Sequence, residues 1–266
     1  TLNYDQDEGL EAAILRLCDE AETLVRDKNT VILVLSDRQI HQGMLPIPAA
    51  MAVGAVQKRL VEQQLRCDSN IIVETAVARD PHHFACLIGY GATAVYPYLV
   101  YQNLHDLARR GNVDRTQQLG RSYRRGVRKG LFKIMSKMGI SSLASYRGAQ
   151  LFEIIGFHKE IVDLCFTGSV SRIQGAKFSD LLDDQKELAR VSRIPQEPLS
   201  QGGLLKYVHQ GEYHCYNPDV ISTLQAAVKT GNYETYIQYA NLVNNRPVST
   251  IRDLMKPRPL GKAILL

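Results

Sequence analysis

The chain has 266 residues, 45% of them hydrophobic and 22% charged, with a formal net charge of +5. This is the balance of an ordinary globular protein, long enough for one large α/β domain or two small ones. No apolar run reaches the ~20 residues that span a bilayer, and the acidic opening TLNYDQDEGLE lacks the basic-then-apolar order of a signal peptide, so a cytoplasmic protein is expected.

Leu10 to Val25 places Leu10, Ile14, Leu17, Ala21 and Leu24 at three- and four-residue spacing, which predicts an amphipathic helix. The run TVILVLS at 30–36 does not alternate, and it predicts a strand buried on both faces. After the loop SDRQIHQGMLPIP, Pro48 suits the start of a helix over AAMAVGAVQKRLVEQQL. Asn70 to Thr75 reads as the next strand, Asp80 and Pro81 open another helix, and Ala94 to Tyr96 reads as a third strand. Strand, helix, strand in repetition predicts an α/β fold with a mainly parallel βαβ sheet and right-handed crossovers.

From Tyr98 the chain reads as helical, with a break near Gly111 to Asp114. The second helix sets Val127, Leu131, Ile134 and Met138 on one stripe and Arg125, Lys129, Lys133 and Lys137 opposite. GISSLASYRGAQLFEIIGF reads as a short strand, a polar loop at Ser145 to Gly148 and a helix stopped by Gly156, and Ile161 to Phe166 as a further strand. Beyond Phe178 come a helix to Val191, a loop with Pro195 and Pro198, a polar aromatic loop from Gly211 to Pro218, and three helices opened at Asn217, Asn232 and Ser249. KPRPLGKAILL, with two prolines, reads as a linker. The organisation expected is one module over 1–266: a leading helix at 1–29, an α/β part at 30–177, and an all-helical extension and linker at 178–266.

The five cysteines, Cys18, Cys67, Cys86, Cys165 and Cys215, are dispersed, with no Cys-x-x-Cys pair to seed a zinc or iron-sulfur site, so reduced thiols are expected. Thr1 could act as an N-terminal nucleophile, but nothing around it reads as a nucleophile's strand or pocket. The densest polar cluster lies within Ile72 to Tyr98, where Glu74, Arg79, Asp80, His82 and His83 gather where a strand ends and a helix begins. Adjacent histidines point about 100° apart on a helix, so they make a poor metal pair. A hydrogen-bonded polar cluster is the leading reading, and acid-base work by His82 or Glu74 the sharper one. Gly89-Tyr90-Gly91 follows a helix rather than a strand, so it reads as a helix stop and not a dinucleotide loop.

Arg109 to Lys137 holds ten Lys or Arg residues against one acid, Asp114. Such a face attracts nucleic acid or acidic proteins, or is simply solvated. The solvated reading is favoured because four of the charges occupy the far side of an amphipathic helix, while the lack of aromatic residues interleaved on that face counts against a stacking platform for single strands. Lys206, with Glu212, Tyr213, His214 and Tyr216 of the GEYHCYNP loop, forms a second polar knot that suits a contact between domains.

LVLSDR at 33–38, PIPAAMAVGAV at 46–56, VETAVARDPHHFACLIGYGA at 73–92, KGLFKIMSKMGISSLASYRGAQLFE at 129–153, FTGSVSRIQG at 166–175 and GEYHCYNPDVISTLQAAV at 211–228 together resemble the large subunit of glutamate synthase, closest to the bacterial NADPH-dependent form. The resemblance runs from about Leu10 to about Met255. It implies the central domain of that enzyme, without its first part, ending at the linker before an FMN-bearing barrel. It further implies a fold like a degenerate or partial TIM-type barrel, lining part of the route that carries ammonia from a glutamine amidotransferase domain to the synthase site. FMN, an iron-sulfur cluster, NADPH-derived electrons and a small β subunit are implied for the full enzyme. The resemblance implies no catalytic, cofactor or metal residue in this segment. Met51, Glu74 and Thr75 are the residues it suggests near the ammonia route, with His82 and His83 on an interdomain surface. The competing expectations are an α/β module that binds nucleic acid or anions through its basic face, and a small autonomous flavin or metal enzyme.

Overall fold

The structure, a computed structural model, describes residues 1–28, 30–111, 116–194, 206–256, 258–259 and 261. Two compact units divide the chain, Thr1–Ile194 and Pro195–Leu266. In the first, the elements run β1 (Asn3–Asp5), α1 (Leu10–Lys28), β2 (Ile32–Ser36), β3 (Met44–Pro46), α2 (Ala49–Glu62), β4 (Asn70–Glu74), α3 (Pro81–Gly89), β5 (Ala94–Tyr96), α4 (Tyr98–Arg110), α5 (Thr116–Met138), α6 (Leu143–Tyr146), β6 (Glu153–Phe157), α7 (Lys159–Cys165), β7 (Val170–Ala176) and α8 (Phe178–Ser192).

The central sheet has the order β2-β4-β5, and both pairings are parallel. Strand order equals chain order, so right-handed crossovers carry α2 and α3 to the same face. Leu33, Leu35, Ile71 and Val73 point under those helices and are buried in the main core with Ile14 and Leu17 of α1 and Val53 and Val56 of α2. The other face is bare. In register across it lie Val34, Ile72 and Ala94, then Ser36, Glu74 and Tyr96. Ile32 and Val34 are 51% and 52% exposed and Tyr96 is 43% exposed. This corrects the expectation that TVILVLS is buried on both faces: among the described residues the helices cover only one.

β1 and β3 form an antiparallel pair that the sequence reading did not anticipate, three residues each. They are tied to α8, where Gln185 accepts from the Tyr4 hydroxyl at 2.7 Å and donates to the Pro46 carbonyl at 2.5 Å. α8 also packs on α1, and Phe178 joins the main core, so this helix belongs to the first unit.

Between Gly139 and Phe166 the structure reverses the expected elements. The short strand expected after Gly139 is absent, α6 occupies the expected polar loop under a Ser142 cap, and the expected helix before Gly156 is β6. The expected strand at Ile161 to Phe166 is α7. Both apolar runs are too short for periodicity to separate helix from strand. Tertiary contact decides: Ile161, Val162 and Cys165 share one helical face packed on α2, and β6 pairs in parallel with β7. The break expected from Gly111 to Asp114 and the loop expected from Ile194 to Gly203 fall almost wholly outside the described residues.

In the second unit α9 (Pro218–Thr230) and α10 (Tyr233–Asn244) pack together, followed by a 3-10 turn at Ile251–Leu254. Gly231 leaves α9 at φ 65°, and Asn232 caps α10 by accepting from the Glu234 N–H at 2.8 Å. Asp253 accepts from the backbone N–H groups of Ser249 and Thr250 and from Arg246, and the Ser249 bond above all holds its carboxyl below the usual range. Among the described residues no helix is long and apolar enough to cross a membrane.

The closest approach in the core is α2 on α7, where a Cβ at Gly54 would sit 1.8 Å from the Cys165 carbonyl oxygen. Gly54→Ala must therefore push two helices apart, and denaturant unfolding is expected to show a loss of about 1–3 kcal/mol. Gly126 of α5 has nothing within 4 Å of such a Cβ. Gly126→Ala is expected to gain about 0.5–1 kcal/mol in the same measurement through helix propensity.

Candidate functional site at the strand ends

Parallel α/β sheets bind their ligands beyond the carboxyl ends of the strands. Here the chain places two carboxylates at those ends, one on each side of the sheet. Glu74 ends β4 on the bare face, where its Oε2 accepts from Ser36 Oγ at 2.6 Å and its Oε1 from Arg38 Nη1 at 3.0 Å. The Arg38 guanidinium lies 5.3 Å from the centre of the Tyr98 ring, a cation-π contact that fixes its direction. A polar rim thus crowns the apolar rows of Val34 and Ile72.

One residue further along each strand, the side chains turn to the covered side. Asp37 is buried there and accepts from Thr75 Oγ1 at 2.5 Å and from the Ala76 N–H at 3.1 and 3.2 Å. Thr75 is fully buried, and its own N–H donates to the Tyr96 carbonyl at 3.1 Å. The Tyr98 hydroxyl is influenced by the same carboxylate. Burial first, and then the neighbouring Asp37, push its pKa up to about 12, so it stays protonated at neutral pH. Beside Asp37 opens a groove of about 820 Å³, walled by Ile40, Ile47, Pro48, Val77 and Leu188.

Of the residues singled out from the sequence, Glu74 and Thr75 stand at these strand ends. His82 and His83 stand apart. Asp80 accepts from the His82 and His83 N–H groups at 2.9 and 3.2 Å, capping α3, and the His83 bond chiefly holds its carboxyl below the usual range. His83 Nδ1 accepts from the Arg79 N–H at 3.2 Å, while His82 Nε2 lies 3.6 Å from Cys86 Sγ with its ring edge-on to Phe152. The Tyr123 hydroxyl donates to the Arg79 carbonyl at 2.9 Å, anchoring this corner to α5. Among the described residues no hydrogen bond or ion pair joins the histidines to Glu74 or Thr75, so the sequence cluster resolves into two sites. Met51 is buried in α2, within the main core.

The sequence reading missed Ser36, Asp37, Arg38 and Tyr98. The signal was present: SDR directly follows one strand as ETA closes its parallel neighbour, and equal register brings such ends together. Among the described residues no three His, Cys, Asp or Glu side chains converge as a metal site. Lys206 and the GEYHCYNP loop belong to the second unit, where Asn217 Oδ1 accepts from the His214 N–H at 2.9 Å to close the loop before α9.

The fold is thus that of a mixed α/β module with parallel strands and a polar network at their carboxyl ends. Residues 1–158 match the family described as "Glutamate synthase central domain", and the chain belongs to that family. It is 39% identical over 264 residues to the ferredoxin-dependent glutamate synthase of Cyanidium caldarium, an alignment covering 94% of this chain and 17% of that protein. It is 38% identical over 274 residues to ferredoxin-dependent glutamate synthase 1 of Arabidopsis thaliana, covering 95% and 17%. The NADPH-type large chain of Bacillus subtilis is 34% identical over 250 residues, covering 93% and 16%. The chain therefore spans about a sixth of the length of these relatives.

Asp37 is the acceptor on which the buried network converges. Asp37→Ala strands the Thr75 hydroxyl and the Ala76 N–H in the interior, and chemical denaturation is expected to show a loss of about 3 kcal/mol. Tyr98→Phe leaves the Thr75 and Ala76 bonds to Asp37 in place, for an expected loss of about 1 kcal/mol or less.

Proposed function

We propose that this chain is the part of a glutamate synthase on which other domains of the same polypeptide close, and that its strand ends border a route for ammonia. The observation that carries the reading is the bare sheet face: apolar rows at Ile32, Val34 and Ile72 that end in the Glu74, Ser36 and Arg38 rim. Exposed apolar surface of this kind is stable in water when something covers it. The small share of the relatives' length spanned here leaves ample polypeptide to do so.

In this reading the β2-β4-β5 order, with both crossover helices on one side, is a segment of a TIM-type barrel whose interior side faces the rest of the enzyme. The helices from Phe178 onward lead toward an FMN barrel. FMN, an iron-sulfur cluster and NADPH-derived electrons act in other domains, with the small β subunit, and the assembly is cytoplasmic. Dispersal of the cysteines supports assigning the cluster elsewhere: Cys18 and Cys165 are buried, Cys67 is exposed, and no thiolate set is gathered.

Ammonia reaches a second site only if its path excludes bulk water. Thr75 suits a wall of such a path, because its hydroxyl donates to Asp37, accepts from the Val77 N–H at 3.3 Å and keeps one further lone pair for an N–H donor. Glu74, held by Ser36 and Arg38, suits the rim where domains meet, with His82 and His83 on the adjoining surface and Met51 behind it. In the full-length enzyme, Thr75→Val and Glu74→Ala are expected to hydrolyse glutamine in excess of the glutamate formed. Assays of both products in one reaction decide: an unchanged ratio would remove the ammonia route and leave only the docking role.

A further inference from the structure

The sequence reading found no aromatic residues among the cations of α5. The structure brings them together: the Arg128 guanidinium stands 6.0 Å from the ring centre of Phe132, which is 61% exposed. Between Arg121 and Lys137 this helix carries seven Lys or Arg residues and no acid, and among the described residues none of the seven is in an ion pair. Beside them opens a groove of about 370 Å³. Tyr123, Val127, Leu131 and Met135 give it an apolar lining, and Arg124 and Arg128, one helical turn apart, line it as well.

We infer that this groove is a docking site for an acidic protein segment that seats an apolar side chain in it. The occupant follows from the two parts of the surface. Unpaired cations in this number favour a partner of opposite charge, whose approach they steer and orient. An apolar cleft at their centre favours a partner that also buries a side chain, since aromatic and aliphatic anchors in such pockets dominate binding energy. Nucleic acid fits less well. The rings here already engage one another, Tyr101 edge-on to Tyr123 at 6.0 Å, Phe84 edge-on to Tyr123 at 6.5 Å and Tyr96 stacked on Tyr101 at 5.7 Å. Bases need a run of free ring faces to stack upon, and of the described rings that line the groove Phe132 alone is exposed, which makes no such run. Docking at this groove does not depend on whether ammonia passes the strand ends.

The test titrates the whole 266-residue chain with two labelled glutamate-rich peptides and a duplex oligonucleotide, at low and at raised salt. One peptide carries leucines at three- and four-residue spacing, and in the other each leucine is serine. The leucine peptide is expected to bind about tenfold or more tightly than its serine counterpart, the effect of burying one aliphatic side chain. Raised salt weakens it. Arg124→Glu combined with Arg128→Glu, both exposed residues, should weaken it about tenfold or more, and Lys133→Glu combined with Lys137→Glu, outside the groove, should weaken it less. Equal affinity for the two peptides, equal effects of the two double variants, preference for the duplex, or no binding would each overturn the inference. Far-UV circular dichroism of both double variants confirms that the helix persists.

Discussion

The constraint on which the structure depends is that β2, β4 and β5 lie side by side in chain order. Every crossover then turns the same way, and the helices gather on one face. The core forms there, from Leu33, Leu35, Ile71 and Val73 beneath α2 and α3. The cost is a second face that is apolar and left uncovered by the described residues. A doubly wound sheet would reverse strand order part-way and send helices to both sides. This chain makes no such reversal among its described strands, and the docking role proposed above would give the bare face a physical purpose.

The strand ends separate two kinds of polar group. Asp37 is an organising acceptor: it satisfies Thr75 and Ala76 where the backbone leaves the sheet, and so stiffens the loops that follow β2 and β4. Asp80 and His83 are occupied in local structure, the first as the cap of α3 and the second as acceptor for Arg79. Glu74 differs from both, because it lies at the edge of the bare face with a half-exposed cation, Arg38, as its partner. Half-exposed ion pairs of this kind contribute little to stability, about 1 kcal/mol or less, so its value to the fold is small. What distinguishes it is its position, at the edge of the exposed apolar face.

Much of this was legible in the sequence, because α1, α2 and the strands at 32–36 and 70–74 announce themselves by periodicity, β-branched runs and the Asp80-Pro81 start signal. What was not legible depended on distant contacts. LFEIIGF and KEIVDLC are short apolar runs whose identity is set by β7 and α2, and neither partner is adjacent in sequence. The bare face was invisible because TVILVLS reads the same whether its second side is covered by its own chain or by another domain. Asp37 escaped notice for a related reason. Its partner Thr75 is 38 residues away and meets it only through strand register.

The central claim is that the bare face is covered in the complete enzyme. Val34→Cys places a thiol at the middle of that face, and residue-resolved alkylation can follow it in this chain and in the full-length protein, with the exposed Cys67 mapped separately. The account predicts ready labelling of position 34 in the isolated chain and slowing of about tenfold or more in the full-length protein, the mark of a site closed by at least the free energy of a stable contact. Equal labelling rates in the two would contradict it.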